Sequence, residues 1–298
     1  MNVTDRQIAP HIEALWERAL PDGGFSARPN GKYRPDATAW AVLGLSAAGA
    51  PADYLEPSRT RLTQSQLSDG RMCLSPEHPE AFWPTPLAML AWQGSHSHQK
   101  PLSHAIEFVI ATTGRHWVRK ANSPLAHDTS IRGWPWIENT HSWVEPTALS
   151  LTALQTAGYG NHARAREAVR MLMDRQLKDG GWNYGNTVVF GQELYPMPED
   201  TGVALDALAG QVAEKGVQQS LAYLVSQVEQ LRTPLSLGWS ILGLGAWGKR
   251  PQDAEKRVLD CLSLQEQYGA YDTPLLSLMV LCFYASGGLT SVIPARET

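Results

Sequence analysis

"MLMDRQLKDGGWNYGN", Met171 to Asn186, runs from a helix-spaced apolar pattern through two glycines into a tryptophan. A helix end, a tight turn and a large aromatic in immediate succession describe a junction. The amide of Gln176 can satisfy free carbonyls of the last helical turn, Gly180 and Gly181 supply the backbone angles of the turn, and Trp182 covers the joint. The same junction recurs in reduced form in "RLTQSQLSDGRM" from Arg61, with Gln66, Gly70 and Met72, and in "CLSLQEQYGAY" from Cys261, with Gln265, Gly269 and Tyr271. "PDGGF", Pro21 to Phe25, keeps only its end.

A recurring junction implies a recurring unit. Six segments share a threonine followed by a run of Ala, Leu, Val and Met: "PDATAWAVLGL" (35–45), "WPTPLAMLAW" (83–92), "VEPTALSLTAL" (144–154), "PEDTGVALDAL" (198–208), "LRTPLSLGWSI" (231–241) and "YDTPLLSLMVL" (271–281). Thr38, Thr85, Thr147, Thr201, Thr233 and Thr273 are expected to cap six helices through their hydroxyls, with Pro86, Pro234 and Pro274 in the first turn. Gly49, Gly94, Gly158, Gly210, Gly248 and Gly287 mark the ends. These helices are apolar nearly all round, as buried helices are. Amphipathic segments such as 162–177 and 215–231 alternate with them. Closing six such hairpins into a ring predicts an all-α fold, an (α/α)6 toroid, as a single domain over 1–298. The longest interval separates Thr85 from Thr147, so an insertion rich in Trp and His is expected at about 114–143. Loops beyond about 12–15 residues are often functional.

Hydrophobic residues make up 43% of the 298 and charged ones 18%, enough for a large core. A net charge of −4 without a basic run argues against nucleic acid as a partner. The N-terminus lacks a basic start followed by an apolar run, and no stretch of about 18 apolar residues occurs, so a cytoplasmic protein without a transmembrane segment is expected. Cys73, Cys261 and Cys282 have no metal-like spacing. No metal and no cofactor is predicted.

Gln176-x3-Gly180-x-Trp182, with Leu172 four positions before the glutamine, resembles the QW repeat of squalene and oxidosqualene cyclases, and related repeats occur in protein prenyltransferase β subunits. The resemblance covers nearly the whole chain and implies a divergent stand-alone bacterial-type member of that superfamily. Class II terpene cyclases carry Asp-x-Asp-Asp-Thr at an inner helix start. The matching "MPEDT" has Met197 at the first aspartate, Glu199 at the proton-donor position, then Asp200 and Thr201. "GGFSARPNGKYRPDATAW" resembles the prenyltransferase segment that ends in a zinc-binding Asp-x-Cys; Asp36 matches the aspartate and Thr38 replaces the cysteine. Asp272 and Thr273 fall about where that family's histidine ligand stands, so the resemblance implies no zinc here.

Parallel inner helices would bring their N-termini to one mouth. Asp36, Glu145, Glu199, Asp200 and Asp272 would gather there, with His141 placed to orient or reprotonate Glu145. Acids at helix N-termini are also favoured by the macrodipole alone, by about 0.3–1 kcal/mol each. Trp40, Trp83, Trp134, Trp136, Trp143, Trp239 and Tyr271, beside Asp272, are the candidate substrate-binding wall. Three functions follow: a terpene cyclase-like protein acting on an isoprenoid or other apolar small molecule in a central cavity by carboxylic-acid protonation, a non-catalytic lipid- or peptide-binding toroid, and a carbohydrate-active (α/α)6 enzyme with two mouth carboxylates. Triterpene cyclases enclose their substrate between two helical domains, which leaves room for a second subunit to complete the cavity here.

Overall fold

In the computed structural model, which describes residues 3–293, the apolar runs become the inner helices α2 (Pro35–Ala47), α4 (Pro84–Trp92), α6 (Val144–Thr156), α8 (Pro198–Leu208), α10 (Pro234–Ala246) and α13 (Thr273–Tyr284). Each packs on the next, and α13 packs back on α2. The outer layer is α1 (Val3–Trp16), α3 (Ala52–Gln64), α5 (Gln99–Ala111), α7 (Ala163–Arg175), α9 (Gln218–Val228) and α11 (Ala254–Ser263), the last followed by the short α12 (Gln265–Tyr268). The architecture is an (α/α)6 toroid. Hydrogen bonds close the ring where the last unit meets the first: the Thr273 amide donates to the Ala27 carbonyl (2.9 Å), its hydroxyl to the Ser26 carbonyl (2.6 Å), and Arg18 Nη1 to that hydroxyl (3.2 Å).

The threonines depart from their expected role. Thr38, Thr147 and Thr201 are each the fourth residue of their helix, Thr85 is the second and Thr273 the first; only Thr233 stands at the N-cap, without a side-chain cap bond. Four of the hydroxyls reach the preceding junction, that of Thr38 donating also to the Arg34 carbonyl at its own helix's N-cap (2.8 Å). Oγ1 of Thr38 accepts from the Phe25 amide (2.8 Å), Thr85 from Met72 (3.0 Å), Thr147 from Trp134 (3.0 Å) and Thr201 from Trp182 (2.9 Å). The threonine therefore fastens the preceding junction to the inner helix. A buried backbone amide needs such a partner, because leaving it unpaired costs about 1–3 kcal/mol.

Trp182 is fully buried and its Nε1 donates to the Leu172 carbonyl at 2.7 Å, tying α7 to the inner layer. Gly180, at φ +95°, lies so close to α9 that a Cβ would stand 2.6 Å from the Gln219 carbonyl carbon. The Gln176 amide does not reach free carbonyls; it donates to Ser220 Oγ at 2.8 Å, which in turn accepts from the Gly181 amide at 2.7 Å. In the Arg61 version Gln66 Nε2 donates instead to the Gly70 carbonyl of the turn and the Pro101 carbonyl of α5, both at 2.9 Å, and only in the Cys261 version does the glutamine, Gln265, reach a last-turn carbonyl, that of Leu262 at 3.1 Å.

Unit three has the same joint at Trp134, whose Nε1 donates to the Val109 carbonyl at 2.8 Å. Here the glycine contact is replaced by Arg164, whose guanidinium stands 4.2 Å from the centre of the indole and donates to the Thr112 carbonyl at 3.0 Å. The segment between α5 and α6 contains no helix and runs as loops. Phe82 pairs with Trp136 and Glu138 with Glu80 through backbone bonds. Ala126 and Phe190 join it to a hairpin of β1 (Val188–Val189) and β2 (Gln192–Glu193). The sequence reading did not foresee that hairpin.

Trp40 on α2 and Trp239 on α10 are buried, and their rings meet edge to face at 6.0 Å. These helices are not neighbours in the ring. Their indoles therefore meet across the interior, so at this level the ring is filled rather than hollow.

Candidate functional site at the helix mouth

Glu145 is the second residue of α6, and Glu199 and Asp200 are the second and third of α8. Because α6 and α8 are parallel neighbours, their first turns bring the three carboxyls together. Burial, then the charges of Asp200 and Glu199, raise Glu145 to about 8. Burial, then Glu199, raise Asp200 to about 7. Asp200 is nearly inaccessible and its Oδ2 has no hydrogen-bond partner. Among the described residues none of the three forms a salt bridge.

Glu199 is held from the next unit: Ser236 Oγ donates to its Oε2 at 2.7 Å. That reach depends on how closely α10 approaches α8. A Cβ on Gly202 would lie 2.3 Å from the Trp239 carbonyl oxygen, and one on Gly243 would lie 2.5 Å from the Gly202 oxygen. Tyr223, on α9, donates to the Pro196 carbonyl at 3.0 Å, and burial, with Glu199 nearby, pushes its phenol up to about 12. Neither Ser236 nor Tyr223 was a sequence candidate. Ser236 stands two residues after Pro234 in the repeat, and that placement was the available signal.

The other two rim acids are satisfied. Asp36 is buried and takes a two-pronged contact from Arg34, Nε to Oδ1 at 2.8 Å and Nη2 to Oδ2 at 2.7 Å. Asp272 caps α13 by accepting from the Leu275 amide at 3.1 Å, and the charge of Arg18 acts on it. Neither is among the charges that act on Glu145 or Asp200.

The aromatic candidates divide in the same way. Trp134 is buried in the unit-three joint, and Trp40 and Trp239 fill the ring interior. Trp83 and Trp136 are half-buried and pair edge to face at 6.2 Å. Trp143, also half-buried, leads directly into α6 and meets His141 at 6.0 Å, while His141 meets Trp117 at 5.0 Å on its other side. His141 is exposed and forms no bond to Glu145 among the described residues. Tyr271 donates its hydroxyl to the Cys261 carbonyl at 2.8 Å and belongs to the last unit's joint.

Carboxyls that hold protons near neutrality, beside another carboxyl and half-exposed aromatics, are suited to general acid–base work. Among the described residues no cluster of three or more His, Cys, Asp or Glu is arranged to hold a metal ion, and no helix is long and apolar enough to cross a membrane.

No protein-family model and no curated protein matches the chain in sequence. Solved structures match it in fold. A protein from Actinoplanes is 13% identical over 97% of this chain and 99% of its own, with a TM-score of 0.61. A GH76 α-mannanase of Bacteroides thetaiotaomicron is 8% identical over 96% and 95%, with a TM-score of 0.64. A type II terpene cyclase from Scytonema, solved with geranylgeranyl dihydroxybenzoate as substrate, is 11% identical over 97% and 98%, with a TM-score of 0.58. At these identities the likeness is one of fold: the chain has the toroid found in both a mannanase and a terpene cyclase.

Proposed function

We propose that the protein is an acid–base enzyme of the toroid mouth that cleaves a glycosidic bond. The observation that carries this reading is the unpaired carboxyl group of three, with Glu145 and Asp200 raised to about 8 and about 7 beside Glu199. Glycoside hydrolysis needs one carboxylic acid to protonate the leaving oxygen and a second carboxylate to activate water or attack the sugar. In this scheme the half-buried Glu145 donates the proton, Glu199, positioned by Ser236, is the second group, and the nearly inaccessible Asp200 acts through its charge on Glu145. A donor whose pKa lies near the working pH suits an oxygen leaving group; protonating an alkene carbon calls for a stronger acid. Half-buried Trp83, Trp136 and Trp143 offer stacking faces for sugar rings. A mannanase of this fold is described in an inactive variant with two adjacent aspartates replaced, and Glu199 and Asp200 are an adjacent acid pair of this chain.

The second reading, a terpene cyclase-like protein acting on an isoprenoid, is favoured by one observation: "MPEDT" opens α8 with Glu199 in the first turn. The filled level at Trp40 and Trp239 weighs against a central chamber for it. Incubation with α-linked manno- and gluco-oligosaccharides, and separately with prenyl diphosphates and squalene, followed by mass spectrometry, separates the two. Shortened sugars with wild type, lost in Glu145→Gln and Glu199→Gln, are the expected result. A cyclised isoprenoid would select the second reading. Full turnover in both variants would remove these acids from the mechanism, and a copurified lipid without turnover would mark a binding protein.

A further inference from the structure

The insertion lines a cavity of about 280 Å³ that holds none of the proposed acid–base residues and shares only Trp143 with the proposed sugar-stacking face. Its polar wall includes Arg115, His127, His141 and Arg175, its aromatic wall Trp117 and Trp143, and no Asp or Glu lines it. Arg175 is buried, with Nη1 on the Gly185 carbonyl at 2.6 Å and Nε 3.3 Å from Asp174 Oδ2; neither bond uses Nη2. Arg115 is exposed and forms no ion pair among the described residues. His127 is only 5% exposed, and its buried Nδ1 has no hydrogen-bond partner.

His127, whose buried Nδ1 has no partner, lines this cavity with two guanidiniums, of which Arg175 meets Asp174 and Arg115 meets no carboxylate, and such a polar site lacks a counterpart. The missing group must bring negative charge for Arg115 and oxygens for Arg175, which already meets Asp174, and for the imidazole. Burial and the charge of Arg175 push His127 down to about 4, so near neutrality it serves as a neutral hydrogen-bonding group and the arginines supply the charge. Guanidinium forks match the planar or tetrahedral oxygens of carboxylate and phosphate. The tryptophans favour a flat or apolar body attached to that group.

We infer that this cavity binds the oxyanion group, phosphate or carboxylate, of a small organic molecule, with Arg115 pairing its charge, Arg175 and the His127 imidazole adding hydrogen bonds, and Trp117 and Trp143 flanking the remainder.

The test is a titration of the full chain with inorganic phosphate, pyrophosphate and benzoate, followed by calorimetry and by tryptophan fluorescence. Saturable binding of at least one probe is expected, weakened by about tenfold or more in Arg115→Gln, where an exposed side chain is changed, and unchanged in Lys256→Gln on the outer face of α11. Phosphate or pyrophosphate binding would identify a phosphorylated ligand, and benzoate binding an aromatic acid. The imidazole nitrogen resonances of His127 should shift on saturation. No saturable binding of any probe, equal affinity in Arg115→Gln, or binding that leaves the His127 resonances unmoved would overturn the inference.

Discussion

Asp36 and Glu145 stand at the same place in two repeats, two residues before the threonine that fastens the junction, yet they meet opposite fates. Asp36 is gripped by Arg34 in a two-pronged ion pair. Glu145 faces Asp200 and Glu199 and is raised to about 8. One side of the mouth is neutralised and the other is left with acids that hold protons. The difference lies one turn upstream: Arg34 stands two residues before Asp36, whereas Trp143 and Met197 take the equivalent places before Glu145 and Glu199. Helix register gathers acids at a rim; the neighbouring side chains decide which of them can do chemistry.

The acid side depends on the joint beneath it, so the largest effect is expected from Trp182→Ala. Removing this fully buried indole and its bond to Leu172 should lower stability by about 3–5 kcal/mol, read as a drop in the denaturant midpoint. An unchanged midpoint would show that α8 and its acids are held by something else. Gly202→Ala comes next: its methyl would meet the Trp239 backbone, and overpacking of this kind costs about 1–3 kcal/mol. It should also part Ser236 from Glu199 and lower turnover more than the stability loss explains.

A smaller pair of effects contrasts the two sides directly. Asp36→Asn should destabilise by about 0–1 kcal/mol, a low figure because Arg34 is 37% exposed and solvent screens the pair. Asp200→Asn should stabilise the protein above pH 8, since it removes a charge that has no counter-ion. Equal signs for the two variants in chemical denaturation at that pH would erase the contrast.

The pH dependence follows from the same acids. A carboxyl whose folded pKa exceeds its unfolded value binds its proton more tightly in the folded state. Its contribution is fully present below the unfolded value of about 4 and is lost as pH rises through the folded value. For Glu145 and Asp200 that window runs from about 4 to the raised values of about 8 and about 7. Stability of Glu145→Gln relative to wild type should therefore increase across it. A flat difference profile would mean that Glu145 titrates normally.

The ring itself was legible in the sequence because six threonines and their apolar runs recur, and a buried helix announces itself by lacking a polar face. The role of those threonines was not. Local reasoning looks for an amide in the helix's own first turn, while Thr38, Thr85 and Thr147 reach backbone thirteen residues upstream and Thr201 reaches nineteen. Trp134 is not marked as a joint residue by its local sequence, because the insertion separates it from α5 and removes the Gln-x3-Gly spacing; the threonine thirteen residues later is the surviving sign of a joint. The shared rim of acids could be read from their register, and the presence or absence of a preceding arginine could have divided them. The Trp40–Trp239 contact could not, since it joins helices far apart in sequence and non-adjacent in the ring.

The central claim, that the mouth holds acids protonated near neutrality, is tested most directly by carbon-13 NMR of the side-chain carboxyls through a pH titration, with Glu145→Gln and Asp200→Asn assigning the signals. Two coupled carboxyl resonances titrating near 7 and 8, with the survivor in each variant moving toward the ordinary carboxylate range, are the predicted result. Both carboxyls titrating near 4 in the wild-type protein would contradict it.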